Sequence, residues 1–280
     1  MSYIYVKITY MYMLLEWLCY ALAYKVGYSY NIHCYIVGIP ASLGIGLVTP
    51  MPSRITLVNK AKAPGGRYYS VKWSNIGLLV GKDGGFEVRS EQAQLRSTHI
   101  IEEYTSDVHG VVPLSDGRVV ILERDCEDMD YSLSTYSSDL KYESVFALFD
   151  ETNTRHSMIA ASENRIVVTR SEGKKSSKLH VYDYDSNKLA THKLDGMAHP
   201  YGVTFLIDGC IAVCDRVNGT VTKYSLQPEF KKQWVWTAYN HGGCQPSGIS
   251  SDELGFIYVV DHHGGPITVL NSERGELTLQ

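Results

Sequence analysis

HPYGVTFLIDGCIAVCDRVNGTVTKYSL, residues 199–226, decides the fold of this chain. Two short apolar runs, VTFLI and CIAVC, meet at Asp208-Gly209, and a third, TVTKYSL, follows the turn Asn218-Gly219. Asp-Gly and Asn-Gly supply the positive φ angles of tight hairpins, and the flanking runs carry β-strand residue types. The stretch therefore predicts a small antiparallel meander.

The meander recurs. A Gly-apolar pair is followed seven residues later by a turn glycine, then by five mostly apolar residues, then by an acid: Gly202, Gly209, Asp215; Gly248, Gly255, Asp261; Gly110, Gly117, Glu123. Gly77 and Asp83 keep the second half, while Arg165 and Ser171 hold the same places with both residues changed. Anchors at 77, 117, 165, 209 and 255 lie 40 to 48 residues apart, room for four strands and their turns. Within the copies, Cys126 to Lys141 reads as a polar excursion and Glu172 to Lys178 as a charged loop.

A degenerate first copy is read at VGIPASLGIGLVTPMPSRITLVN, residues 37–59, aligned with SGISSDELGFIYVVDHHGGPITVLN, residues 247–271. It carries Thr49 and Pro50 where the acid belongs. The expectation is an all-β, six-bladed β-propeller of four-stranded antiparallel blades over residues 36–280, because radial closure leaves only short protected edges. Residues 1–35 form a hydrophobic, Tyr-rich N-terminal extension holding nine of the 21 tyrosines. Its apolar run from Tyr10 to Tyr24 contains Glu16, which weakens a membrane-spanning reading. The expected compartment is the cytoplasm, with secretion or anchoring through residues 8–24 as the alternative, given Ala21-Leu22-Ala23.

Formal net charge is −4, but residues 1–66 carry +4 and the remainder −8. An acidic body argues against broad phosphate-backbone binding, so RNA is disfavoured as a partner; Lys174, Lys175 and Lys178 make one local basic loop. The six cysteines, Cys19, Cys34, Cys126, Cys210, Cys214 and Cys244, show no CxxC or zinc spacing. Cys210 and Cys214, four residues apart in an extended run, would be about 13 Å apart, too far for a disulfide.

The chain has neither the Gly-His nor the Trp-Asp dipeptide of WD-type repeats, and its glycine pairs lack the fixed offsets of kelch-type repeats. At HPYGVTFLIDGCIAVCDRVNGTVTKYSL and QPSGISSDELGFIYVVDHHGGPITVLN it resembles the NHL repeat: His/Gln-Pro-x-Gly-apolar, a short Gly turn, then a run ending Val-x-Asp. The resemblance is to the six-bladed C-terminal domain of tripartite-motif proteins. It implies a non-catalytic module that binds a protein or peptide on one face, with substrate recognition in a ubiquitin-ligase context as one setting. No Cys/His framework for a RING or B-box is present, so ligase chemistry is not expected here.

Expected binding residues on that face are His109, His199, Tyr201, His241, His262 and His263, with Tyr201 as a surface anchor and Ser247 in a matching place. Asp83, Glu123, Asp215 and Asp261 are expected at equivalent places in successive blades. They read either as turn caps accepting backbone N–H bonds or as a ring of carboxylates lining the channel. The capping reading is preferred, with no catalytic residue, metal or cofactor. The competing class is a gluconolactonase- or regucalcin-like metal-dependent hydrolase, whose Pro-Asn-Gly is replaced here by Pro200-Tyr201-Gly202 and Pro246-Ser247-Gly248.

Overall fold

A computed structural model describes residues 32–38, 56–63, 68–90, 94–101, 106–125, 130–149, 157–171, 177–238, 245–263 and 267–279. These residues form five four-stranded antiparallel sheets and one two-stranded sheet. Blade one comprises β3 (Tyr68–Ser74), β4 (Gly77–Lys82), β5 (Gly85–Arg89) and β6 (Leu95–Ile100). Blade two comprises β7 (Ser106–Pro113), β8 (Val119–Asp125), β9 (Tyr131–Tyr136) and β10 (Tyr142–Phe149). Blade three has β11 (Ser157–Ala161), β12 (Ile166–Ser171), β13 (Ser177–Tyr182) and β14 (Lys188–Lys193). Blade four has β15 (Pro200–Phe205), β16 (Ile211–Asp215), β17 (Thr220–Ser225) and β18 (Lys231–Thr237); blade five has β19 (Pro246–Ser251), β20 (Phe256–Asp261), β21 (Thr268–Asn271) and β22 (Leu277–Leu279). Each blade is a simple meander, and the inner strands β3, β7, β11, β15 and β19 stand side by side in sequence order.

The expected sixth blade is not formed: the described residues make five blades. In the first copy, β1 (Ile32–Gly38) pairs directly with β2 (Thr56–Ala63), from Ile32 opposite Ala63 to Gly38 opposite Thr56. β2 is the strand that the repeat alignment placed third. It takes the hydrogen-bonding edge a second strand would need, so the pair is a hairpin rather than the start of a meander. β1 also runs across the expected domain boundary at 35/36.

Local chemistry explains the hairpins that open three of the blades. In Leu114–Arg118, Leu206–Cys210 and Asp252–Phe256 the turn glycine has φ of +91°, +76° and +83° and donates back to the first residue of the loop. Only a residue without Cβ enters that region cheaply. Blade three, with Arg165 in the glycine place, uses a tighter turn closed by Ser162 N–H to Arg165 C=O at 2.9 Å.

Blade one also has a shorter hairpin, and this displaces its acid. Val71 pairs Val80 where Val203 pairs Val213, so the loop holds one residue fewer and Lys82, not Asp83, sits opposite Tyr68. Glu123, Asp215 and Asp261 do share one register position, opposite Val108, Pro200 and Pro246. The expectation that all four acids are equivalent is corrected accordingly. The excursion from Cys126 is corrected too, because Tyr131–Tyr136 is a third strand whose Tyr131, Leu133 and Thr135 are buried.

Packing follows from blades stacked face to face. Both faces of the first three strands are covered, which is why runs such as VVIL, IVV and IAVC are apolar without alternation. One apolar cluster joins blades one and two, a second joins two and three, and a third runs through three, four and five. Outer strands β6 and β14 instead alternate exposed and half-buried residues.

Candidate functional site

The inner strands share an irregularity that aims side chains at the end of the molecule where they begin. The register slips by one residue at Tyr68/Ser70, Val108/Gly110, Pro200/Gly202 and Pro246/Gly248. The extra residues are Tyr69, His109, Tyr201 and Ser247. A bulge leaves one residue unpaired and re-aims its side chain, a device common beside functional sites. Where the next residue is glycine, strands approach closely: a Cβ on Gly110 would lie 2.3 Å from Ile159 Cγ2, and one on Gly202 would lie 3.0 Å from Ile249 Cγ2.

Three of these bulged residues are buried: His109, Tyr201 and Ser247 are 6%, 1% and 1% exposed. Tyr201 is therefore not a surface anchor, because the bulge turns its ring inward, where the guanidinium of Arg216 covers it at 5.4 Å. The ring of His199 stands 5.7 Å away. His262 and His263 are in edge contact at 5.3 Å; His262 is buried and His263 exposed. Burial, then the charges of Arg216 and His263, push His262 down to about 4 against the opposing pull of Asp261. His199, Tyr201, Arg216, His262 and His263 thus form one chain of neighbours, whereas His241 lies outside the described residues.

His109 stacks on Tyr69 with ring centres 4.4 Å apart and meets the edge of Tyr131 at 5.4 Å. Burial, then Arg124, lowers His109 to about 3, so its imidazole is neutral near pH 7. The Tyr69 hydroxyl donates to Asp83 Oδ1 at 2.6 Å and reaches Asp107 Oδ2 at 3.0 Å. Its pKa is raised, first by burial and then by Asp83.

The acids divide in role. Asp215 is fully buried and accepts from His199 N (3.2 Å), Val217 N (3.0 Å) and Asn218 N (3.1 Å) on Oδ1, and from Ala198 N (2.6 Å) and Asn218 Nδ2 (2.8 Å) on Oδ2. Asp261 Oδ1 accepts from Gln245 N at 3.2 Å and His263 N at 3.0 Å. Glu123 lies within β8 rather than at its end, and burial raises its pKa. Among the described residues, no group of three or more His, Cys, Asp or Glu side chains is placed to hold one metal ion.

Sequence reasoning missed Tyr69, Asp107, Arg124, Tyr131 and Arg216. Two signals were available: Tyr69 precedes Ser70 as Tyr201 precedes Gly202, and a cationic or imidazole residue follows each register-matched acid, as Arg124, Arg216 and His262. Tyr131 carried no local signal. Two surface clefts, of about 470 Å³ between Trp73, Pro113 and Tyr184 and about 270 Å³ beside Asp208 and Arg165, open among the opposite-end hairpins.

No family model and no curated protein matches the chain. Solved structures do. A chain of a nidogen/laminin complex superposes with a TM-score of 0.65 at 12% identity, covering 89% of this chain and 90% of that one. The chain is a β-propeller. A streptogramin B lyase matches with a TM-score of 0.59 at 15% identity, covering 77% and 69% of the two chains. A Bacteroides caccae protein of unknown function gives 0.59 at 14% identity, covering 79% and 84%. This propeller thus shares its fold with partners in protein complexes and with enzymes alike. Among its described residues, no helix is long and apolar enough to cross a membrane.

Proposed function

We propose that this propeller is a non-catalytic binding module that takes a protein or peptide segment at the end where the inner strands begin. The observation that carries this reading is the repeated bulge, which brings Tyr69, His109, Tyr201 and Ser247 from four blades to one end. A rigid scaffold lending one residue per blade is how repeat architectures build recognition surfaces. Arg216 and His263 supply the accessible rim, with exposed Val217 beside them. The NHL-like motifs of residues 199–271 and the fold shared with the nidogen/laminin complex support the same reading.

The fold shared with lyases raises an enzymatic alternative. The imidazoles argue the other way. General bases work best with a pKa near the operating pH, and His109 and His262 are held near about 3 and about 4. RNA is a weaker fit, since this end carries Asp83, Asp107 and Asp261 as well as its arginines.

Panning a peptide-display library against the folded propeller tests the proposal. Selected peptides should bind wild type and lose at least about tenfold in affinity on Arg216→Ala or His263→Ala, with an unchanged melting temperature. Peptides unaffected by both substitutions, or competed away by changes at Trp73 and Tyr184 on the opposite end, would overturn it.

A further inference from the structure

Three buried polar groups between blades two and three keep hydrogen-bonding capacity that nothing around them takes up. Tyr131 is 1% exposed and its hydroxyl proton has no acceptor; Ser157 is fully buried with its Oγ unpaired; His109 is 6% exposed with Nε2 unpaired. Such groups are nearly always satisfied in native proteins, and one left bare is costly. They lie close together. His109 meets the ring edge of Tyr131 at 5.4 Å, and Tyr131 feels the backbone of Ser157, the phenol of Tyr201 and the charge of Arg124.

The charge around them sets what they could bind. Arg124 acts on both His109 and Tyr131. Glu123, its neighbour on β8, points to the opposite face of the strand and acts on Tyr136 instead. Asp107 also reaches Tyr131, but more weakly, and it is already engaged by the Tyr69 hydroxyl together with Asp83. Arg170, opposite Ser157 on β12 and buried with its guanidinium over the Phe149 ring, is a second cation in the same seam, so an anion is the fitting occupant. A carboxylate offers two oxygens and about four lone pairs, enough for three donors.

We propose that the seam between blades two and three is a carboxylate subsite. Tyr131 Oη and Ser157 Oγ donate to the bound carboxylate, His109 donates from Nε2, and Arg124 supplies the countercharge. Buried donors recognise an anion strongly, because charge-assisted hydrogen bonds are about twice as strong as neutral ones. The inference rests on the peptide-binding reading above and sharpens it: the bound segment presents an acidic side chain or a terminal carboxylate. A free small carboxylate shares this chemistry.

Calorimetric titration of the intact chain separates the sources. One arm uses a peptide selected by panning and its counterpart with each acidic residue replaced by its amide; the other uses succinate and succinamide. The acidic peptide should bind at least about tenfold more tightly than the amide form, and Tyr131→Phe should erase that preference while leaving amide binding and the melting temperature unchanged. Ser157→Ala should weaken it in the same direction. If Tyr131→Phe keeps the preference, or if neither acid outcompetes its amide, the subsite is refuted and water fills the seam. Peptides that bind without acid preference refute the subsite and leave the binding module standing. Succinate that binds through Tyr131 when no peptide binds supports the subsite and refutes the peptide reading.

Discussion

Removing the Asp215 carboxylate should unfasten blade four. Asp215 is fully buried and receives five hydrogen bonds, four from backbone N–H groups at Ala198, His199, Val217 and Asn218 and one from the Asn218 side chain. It ties the entry of β15 to the turn after β16, two segments 16 residues apart. A hydrogen bond to a charged group contributes about 1.5–3 kcal/mol net, and an orphaned buried donor costs about 1–3 kcal/mol. Val217 and Asn218 lie in a turn where water can replace the carboxylate, while Ala198 and His199 are half-buried. Counting mainly the latter two gives about 3–5 kcal/mol for Asp215→Ala, a large part of the ~5–15 kcal/mol typical of a domain. Asp215→Asn keeps the three-fold acceptor Oδ1 but turns a donor toward Ala198 N–H, so about 1.5–3 kcal/mol is expected. Urea unfolding followed by the fluorescence of Trp234 and Trp236 on β18 measures both. A loss below about 1 kcal/mol for Asp215→Ala at an unchanged denaturant slope would refute the capping role.

Gly110→Ala should destabilise by about 1–3 kcal/mol, since its new Cβ would lie 2.3 Å from Ile159 Cγ2; adding Ile159→Ala should recover part of that in a double-mutant cycle. Stability should fall as pH drops from about 6.5 toward about 4, because His262 and His109 bind protons more weakly folded than unfolded, so acid favours the unfolded chain. A melting curve against pH should be flatter in that window for His262→Gln, and an identical curve would count against the burial assigned to it. Leu148→Lys on β10, where Leu148 is 76% exposed and no Lys or Arg guards the strand, should reduce aggregation on heating without lowering the melting temperature.

Much of the blade was legible in the chain. Asp208-Gly209 and Asn218-Gly219 mark hairpins that form where expected, since a turn is closed by residues a few positions apart. Glu123, Asp215 and Asp261 were found by repetition, and three blades place them in one register. The histidines were singled out by type, and the burial of His109 and His262 was not legible in the chain. Tyr201 reads as an exposed aromatic in sequence and is a covered one in the fold.

The period, the strand order within each blade and the hairpin turns were determined by sequence alone, because each depends on contacts that are close along the chain. The blade count was not. It turned on whether β1 would take β2 as its neighbour, a pairing across an intervening segment of 17 residues that no local motif announces. The site likewise came only with tertiary structure. A one-residue slip between paired strands turns Tyr69, His109 and Tyr201 inward, and Tyr69 then meets Asp107, 38 residues away.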